Sequence, residues 1–99
     1  MNMLKMMKQA QELQAKAQKV QGELGAREYT ASLNGVTAVA NGEGSLLSLK
    51  IDPAIVKTGE AEILEDLVVT AVREAVEKGR TEMQTEMKKL TAGLGLPGL

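Results

Sequence analysis

Four lysines near the start of the chain, Lys5, Lys8, Lys16 and Lys19, are the side chains best placed to do chemistry. At about 100° per residue they fall within an arc of roughly 80° on a helix, with Glu12 in the middle of it. Such a stripe has the spacing of a phosphate backbone, and a dimer would present two copies. A solvated face of an amphipathic helix accounts for the same pattern, and the stripe alone favours that reading. The distribution of charge sharpens the question. The net charge is −1, yet residues 1–20 hold four lysines against Glu12 alone. Residues 21–66 hold three bases (Arg27, Lys50 and Lys57) against eight acids. The remaining bases include Arg80, Lys88 and Lys89 near the end of the chain.

Other chemistries are poorly provided for. With no Cys and no His, the chain has no disulfide, no thiolate or imidazole metal ligand and no Ser-His or Cys-His nucleophile. Glu65 and Asp66 are neighbours, so on a helix they point in different directions, and no nucleophile accompanies them. The loop Asn41-Gly42-Glu43-Gly44 is glycine-rich but lacks the Lys-Ser/Thr that would make it a phosphate loop. Six Met residues could form an adaptable surface, though three crowd the N-terminus and suit gaps in a packing seam. No enzyme activity, cofactor, metal or small-molecule substrate is expected. The lysine- and glutamine-rich opening has no apolar core, so neither a signal peptide nor a membrane span is expected there. A small chain without disulfide staples fits a reducing cytoplasm.

These residues need elements to hold them. Met3, Met6, Ala10, Leu13, Ala17, Val20 and Leu24 alternate in steps of three and four, a heptad seam that predicts a helix over 3–24. Gly22 and Gly25 are expected to end it. Tyr29, Ala31 and Leu33 then alternate as a strand, and Asn34-Gly35 suits a type I′ hairpin. That turn sets Leu33 opposite Val36, Ala31 opposite Ala38 and Tyr29 opposite Ala40. A four-residue loop over 41–44 would set Ala38 opposite Leu47 and Val36 opposite Leu49, with Ile51 continuing the face. The outer face would carry Thr30, Ser32, Thr37, Ser48 and Lys50, with Val39 opposite Leu46 as an apolar pair. Asp52-Pro53 predicts a short helical turn through Lys57. Thr58 is the candidate cap of a long last helix, with Leu64, Val68, Ala71, Ala75, Val76, Met83, Met87 and Leu90 on one face. Gly79 interrupts that face, which predicts either a bend or the close approach of another backbone.

The expected fold class is therefore α+β: a long N-terminal helix, a three-stranded antiparallel meander, a short helical turn and a long C-terminal helix. One domain is expected over 1–92, with a loose Gly/Leu/Pro tail over 93–99. Hydrophobic residues make up 43% but aromatics only 1%, so the core is poor in large side chains. A homodimer that covers the remaining apolar faces is expected on that ground.

Several segments resemble one family in order and spacing: Lys5-Met6-Met7-Lys8-Gln9-Ala10, Gly35-Val36-Thr37-Ala38-Val39 with Asn41-Gly42, Ile51-Asp52-Pro53, Leu64-Glu65-Asp66-Leu67-Val68, and Gly95-Leu96-Pro97-Gly98. Taken together, they are similar to the YbaB/EbfC family of nucleoid-associated proteins over nearly the whole chain. Members usually have a more hydrophilic second hairpin than the one here, where Leu46 and Leu47 are apolar. The resemblance implies a homodimer, a cytoplasmic and nucleoid-associated location, and binding of double-stranded DNA without catalysis. It also implies that charged residues of both long helices face DNA, here Lys5, Lys8, Lys16 and Lys19, assisted by Arg80, Lys88 and Lys89. The absence of stacking aromatics argues against single-strand recognition, and no helix-turn-helix or zinc finger supports strong base readout. The competing reading is a coiled-coil interaction adaptor or holdase, for which the acidic middle of the chain presents no obstacle.

Overall fold

The computed structural model describes residues 2–93. Helix α1 runs Met3–Ala26, followed by strands β1 (Glu28–Leu33), β2 (Val36–Asn41) and β3 (Leu46–Ile51), the short helix α2 (Pro53–Val56) and helix α3 (Ala61–Ala92). The strands form one antiparallel sheet in the order β1-β2-β3. This is the expected α+β order. Most of the expected tail, residues 94–99, lies outside the described residues.

Helix α1 is rich in Ala, Gln, Lys, Leu and Met, all good helix formers. Asn2 caps it by accepting from the Leu4 backbone N–H at 3.0 Å. It passes through Gly22 and Gly25 and ends where Arg27 turns extended, so neither glycine is its stop signal. Along the heptad seam, Leu24 is buried, Leu13, Ala17 and Val20 are half-buried, and Met3, Met6 and Ala10 are exposed. The seam is thus covered only in its C-terminal half, where α1 lies on α3.

The first hairpin forms as its turn chemistry dictates. Asn34 (φ 44°) and Gly35 (φ 90°) both take positive φ, and all three expected inward pairs are present. Gly35 is doubly constrained: a Cβ there would stand 2.5 Å from Ile55 Cδ1, while its carbonyl accepts from the Asp52 N–H at 2.8 Å. That bond anchors α2 below the hairpin. The start of α2 is also as expected, with Asp52 accepting from the Ala54 N–H at 2.9 Å and Pro53 in the first turn.

The second hairpin departs from expectation by two residues. Val36 faces Ile51 and Ala38 faces Leu49, where Leu49 and Leu47 were expected. The cause is Asn41. Its side-chain oxygen accepts from both the Glu43 and Ser45 N–H groups at 3.0 Å, and its own N–H donates to the Ser45 carbonyl at 2.9 Å. The loop therefore closes one residue later. A bulge between Val39 and Ala40 then adds a second residue to the shift. A shift of two preserves the facing of the strand, so Leu49 and Ile51 stay on the expected side. The Val39–Leu46 outer pair does not form, because Val39 faces Ser48 and Leu46 faces Ala40.

The start of α3 also differs. Thr58 does not cap it: its hydroxyl donates to the Ile55 carbonyl at 2.7 Å and accepts from the Glu60 N–H at 3.3 Å, closing α2 instead. Gly59, at φ 73°, then turns the chain, and α3 begins at Ala61 with no side-chain cap.

Helix α3 crosses β1 and β2, packing Ala71 and Ala75 on Ala31, Val36, Ala38 and Ala40. Alanine on both sides brings helix and sheet close, and Val36 is the largest fully buried side chain. That core is small. From β3, Ile51 packs against its edge, while Leu46, Leu47 and Leu49 remain 46%, 50% and 37% exposed. The molecule measures 69 × 23 × 14 Å with a radius of gyration of 19.5 Å, against about 13 Å for a compact chain of ~100 residues.

Candidate nucleic-acid interface

The sequence pattern of α1 places its apolar seam against α3 and its lysines outside that seam. Lys5, Lys8, Lys16 and Lys19 are all exposed on the helix, and no ion pair engages them among the described residues. Glu12, within the same arc, is exposed as well. An exposed ammonium on a helix can exchange its water for a phosphate oxygen with little rearrangement.

The two long helices run antiparallel. Leu13 and Lys16 of α1 lie beside Lys89 and Leu90 of α3, and together with Gln9 and Glu12 they line a groove of about 360 Å³. Two candidate residues distant in sequence, Lys16 and Lys89, therefore share one surface. Arg80 does not join them. Nine residues separate it from Lys89, which turns it about 180° around the helix. It lies instead beside Gly42 and Gly44 of the β2–β3 loop. Lys88 is exposed on the remaining side of α3.

Arg80 and Lys89 also have carboxylate partners, Glu77 at 2.9 Å and Glu86 at 3.2 Å, each one helical turn away. Such exposed pairs are worth about 0–1 kcal/mol, so a phosphate can displace the carboxylate. Of the three α3 residues, Lys89 is the one that lies beside Lys16 of the α1 stripe.

The sequence profile of the YbaB/EbfC DNA-binding family matches residues 1–94. The chain belongs to that family. It is 46% identical over 101 residues to a nucleoid-associated protein of Clostridium novyi, covering 100% of this chain and 89% of that protein. It is 48% identical over 94 residues to a nucleoid-associated protein of Agrobacterium fabrum, covering 93% of this chain and 88% of the other. The fold is similar to the crystal structure of an uncharacterised protein from Helicobacter pylori, with a TM-score of 0.63, 14% identity, and coverage of 95% and 97% of the two chains.

In this YbaB/EbfC chain the base of the helix pair is built from three glycines, of which Gly79 alone was singled out by the sequence for a close approach. Gly25 of α1, Gly42 of the β2–β3 loop and Gly79 of α3 meet there. The Gly42 N–H donates to the Gly25 carbonyl at 3.1 Å, supplying one of the acceptors at the end of α1 with a partner. Gly79 is buried under the Tyr29 ring, and the Gly42 Cα lies 3.3 Å from where its Cβ would be. Of the two outcomes expected at Gly79, this is the close approach. Arg27 pairs with Glu82, and the Lys78 ammonium donates to the Thr30 carbonyl at 2.5 Å, so charged side chains tie α3 to the start of the sheet.

Tyr29 is 8% exposed, and its hydroxyl is buried without a hydrogen-bond partner. Burial, and next the Glu82 carboxylate nearby, hold this phenol above its ordinary value of 10.0, while Arg27 pulls the other way. The folded state therefore binds the proton more tightly than the unfolded state. Stability is full below the unfolded value near 10 and is lost as pH rises through the folded one. Tyr29 is the one tyrosine in the chain, so ultraviolet titration reports it alone. Phenolate absorbance is expected to rise above pH 10 rather than at it. Tyr29→Phe is expected to hold or raise the melting temperature, since it removes a buried hydroxyl that makes no bond. A phenol titrating at or below 10, or a Phe variant destabilised by more than about 1 kcal/mol, would contradict this reading.

No helix among the described residues is long and apolar enough to cross a membrane.

Proposed function

We propose that this protein is a nucleoid-associated homodimer that binds double-stranded DNA chiefly through its phosphates. The observation that carries the reading is the α1 stripe: Lys5, Lys8, Lys16 and Lys19, exposed and free of carboxylate partners among the described residues. Membership of a DNA-binding family supports it. Lys89 and, at the margins, Lys88 and Arg80 add positive charge from α3. No Trp or Phe is available to stack on bases, so affinity rests on charge and sequence preference is weak.

The dimer follows from what the protomer leaves uncovered. Leu47 and Leu49 on β3 and Val69 on α3 are exposed apolar side chains, while the largest fully buried side chain of the core is only Val36. A second copy seated there would complete that core and place two lysine stripes on one particle. The protein acts without catalysis, cofactor or small-molecule substrate. It resides with the chromosome in the cytoplasm, where it organises DNA and thereby influences expression. Fluorescence anisotropy with two duplexes of unrelated sequence tests the reading. Affinities within a few-fold of each other support it, whereas strong preference for one duplex, or binding to neither, opposes it.

A further inference from the structure

We infer that the junction where Gly42 and Gly79 meet the end of α1 at Gly25 positions the two DNA-facing helices, so that affinity depends on Gly42 and Gly79 although neither carries a charge. The inference rests on the DNA-binding reading above and adds the positioning residues to it.

The junction is tight on every side. A Cβ on Gly42 would overlap the Leu24 carbonyl oxygen and stand 2.6 Å from its carbon and 3.0 Å from the Gly25 Cα. All of these are backbone atoms of α1, so relief requires the helix itself to move. A Cβ on Gly79 would stand 3.0 and 3.1 Å from two carbons of the Tyr29 ring and 3.3 Å from the Gly42 Cα. Gly25 differs in kind. Its Cβ would meet Glu43 Cγ at 3.2 Å, the arm of a flexible and exposed side chain. The three glycines thus have graded consequences, and the grading makes the inference testable.

Displacement at the junction is amplified along α1. Lys16 lies eight residues before Leu24, about 12 Å along the helix at ~1.5 Å per residue, and Lys5 lies about 28 Å away. A tilt that the Gly42 loop forces on the end of α1 therefore opens the groove shared by Lys16 and Lys89. Both lysines survive such a change in number and charge. What is lost is their simultaneous reach to neighbouring phosphates.

The chain has no cysteine, so a Gln9→Cys, Gly93→Cys pair places two unique thiols on opposite walls of the groove. In that background, cross-linking within a protomer by a short bis-maleimide measures helix spacing, and anisotropy with duplex DNA measures affinity and its salt dependence. Gly42→Ala is expected to lower cross-link yield several-fold and DNA affinity about ten-fold. The salt slope should become shallower by roughly 2, one contact of ~0.9 lost from each protomer. Gly25→Ala is expected to leave both readouts as they are. If Gly42→Ala does not fold, Gly79→Ala decides: it should lower both readouts, and adding Tyr29→Leu should restore them by removing the ring from its path.

Wild-type affinity, slope and cross-link yield in a folded Gly42→Ala protein would overturn the inference. So would a Gly79→Ala defect that Tyr29→Leu leaves unrepaired. A parent protein that cross-links but binds no duplex would instead contradict the DNA reading itself.

Discussion

Changing Lys8 and Lys16 together to glutamine is expected to weaken binding to any duplex by at least about ten-fold and to flatten its salt dependence. Both residues are exposed on α1, away from the seam that meets α3. Glutamine keeps helix propensity close to that of lysine, so the helix is retained. A dimer loses four positive charges, and at ~0.9 per phosphate contact the slope of log affinity against log salt becomes shallower by up to about 4. The loss is expected to be similar for unrelated sequences, because phosphate contacts carry no base information. Sedimentation should show an unchanged dimer. If affinity and slope stay at wild-type values, α1 is a solvated face, and any DNA contact must be sought on α3.

The second large effect concerns the uncovered edge of the sheet. Leu47 and Leu49 are 50% and 37% exposed in the protomer, so placing Asp at both positions costs the isolated fold little. Across an apolar interface the same carboxylates are desolvated without partners, a cost of several kcal/mol. The dissociation constant of the dimer is expected to rise at least about 100-fold, the equivalent of roughly 3 kcal/mol. Sedimentation at micromolar concentration then shows monomer, and the DNA salt slope falls to about half, since each particle carries one stripe. A variant that remains dimeric places the interface elsewhere.

What the sequence made legible was local. The seam of α1, the Asp52-Pro53 start of α2 and the Asn34-Gly35 hairpin each follow from residues within a few positions of one another, and each is present. The lysine stripe was legible for the same reason, because helical periodicity alone brings Lys5, Lys8, Lys16 and Lys19 to one side. The misreadings have physical causes at single residues. Asn41 closes a longer loop through its side chain, and a bulge follows, which together move the β2–β3 register by two. Gly59 turns the chain after α2, which leaves Thr58 on the wrong side of the turn to cap α3.

The tertiary part of the site was not legible at all. Nothing in the spacing of Lys16 and Lys89 shows that they share a groove; the separation of Arg80 from Lys89 follows from helical periodicity, but that Arg80 lies beside the β2–β3 loop does not. The same holds at the glycines. Gly25 reads as a helix stop and Gly42 as a turn residue, yet Gly42 is there because the backbone of α1 approaches too closely for a side chain, and Gly25 continues the helix beside the Glu43 side chain.

The salt dependence of duplex binding tests the central claim most directly. Anisotropy titrations of wild-type protein against one duplex, repeated across a range of monovalent salt, give the slope of log affinity against log salt. Two copies of four lysines at ~0.9 each predict a slope of about −4 to −8, depending on how many engage. A second duplex of unrelated sequence should return the same slope and nearly the same affinity. A slope near zero, or no binding at low salt, would contradict the account.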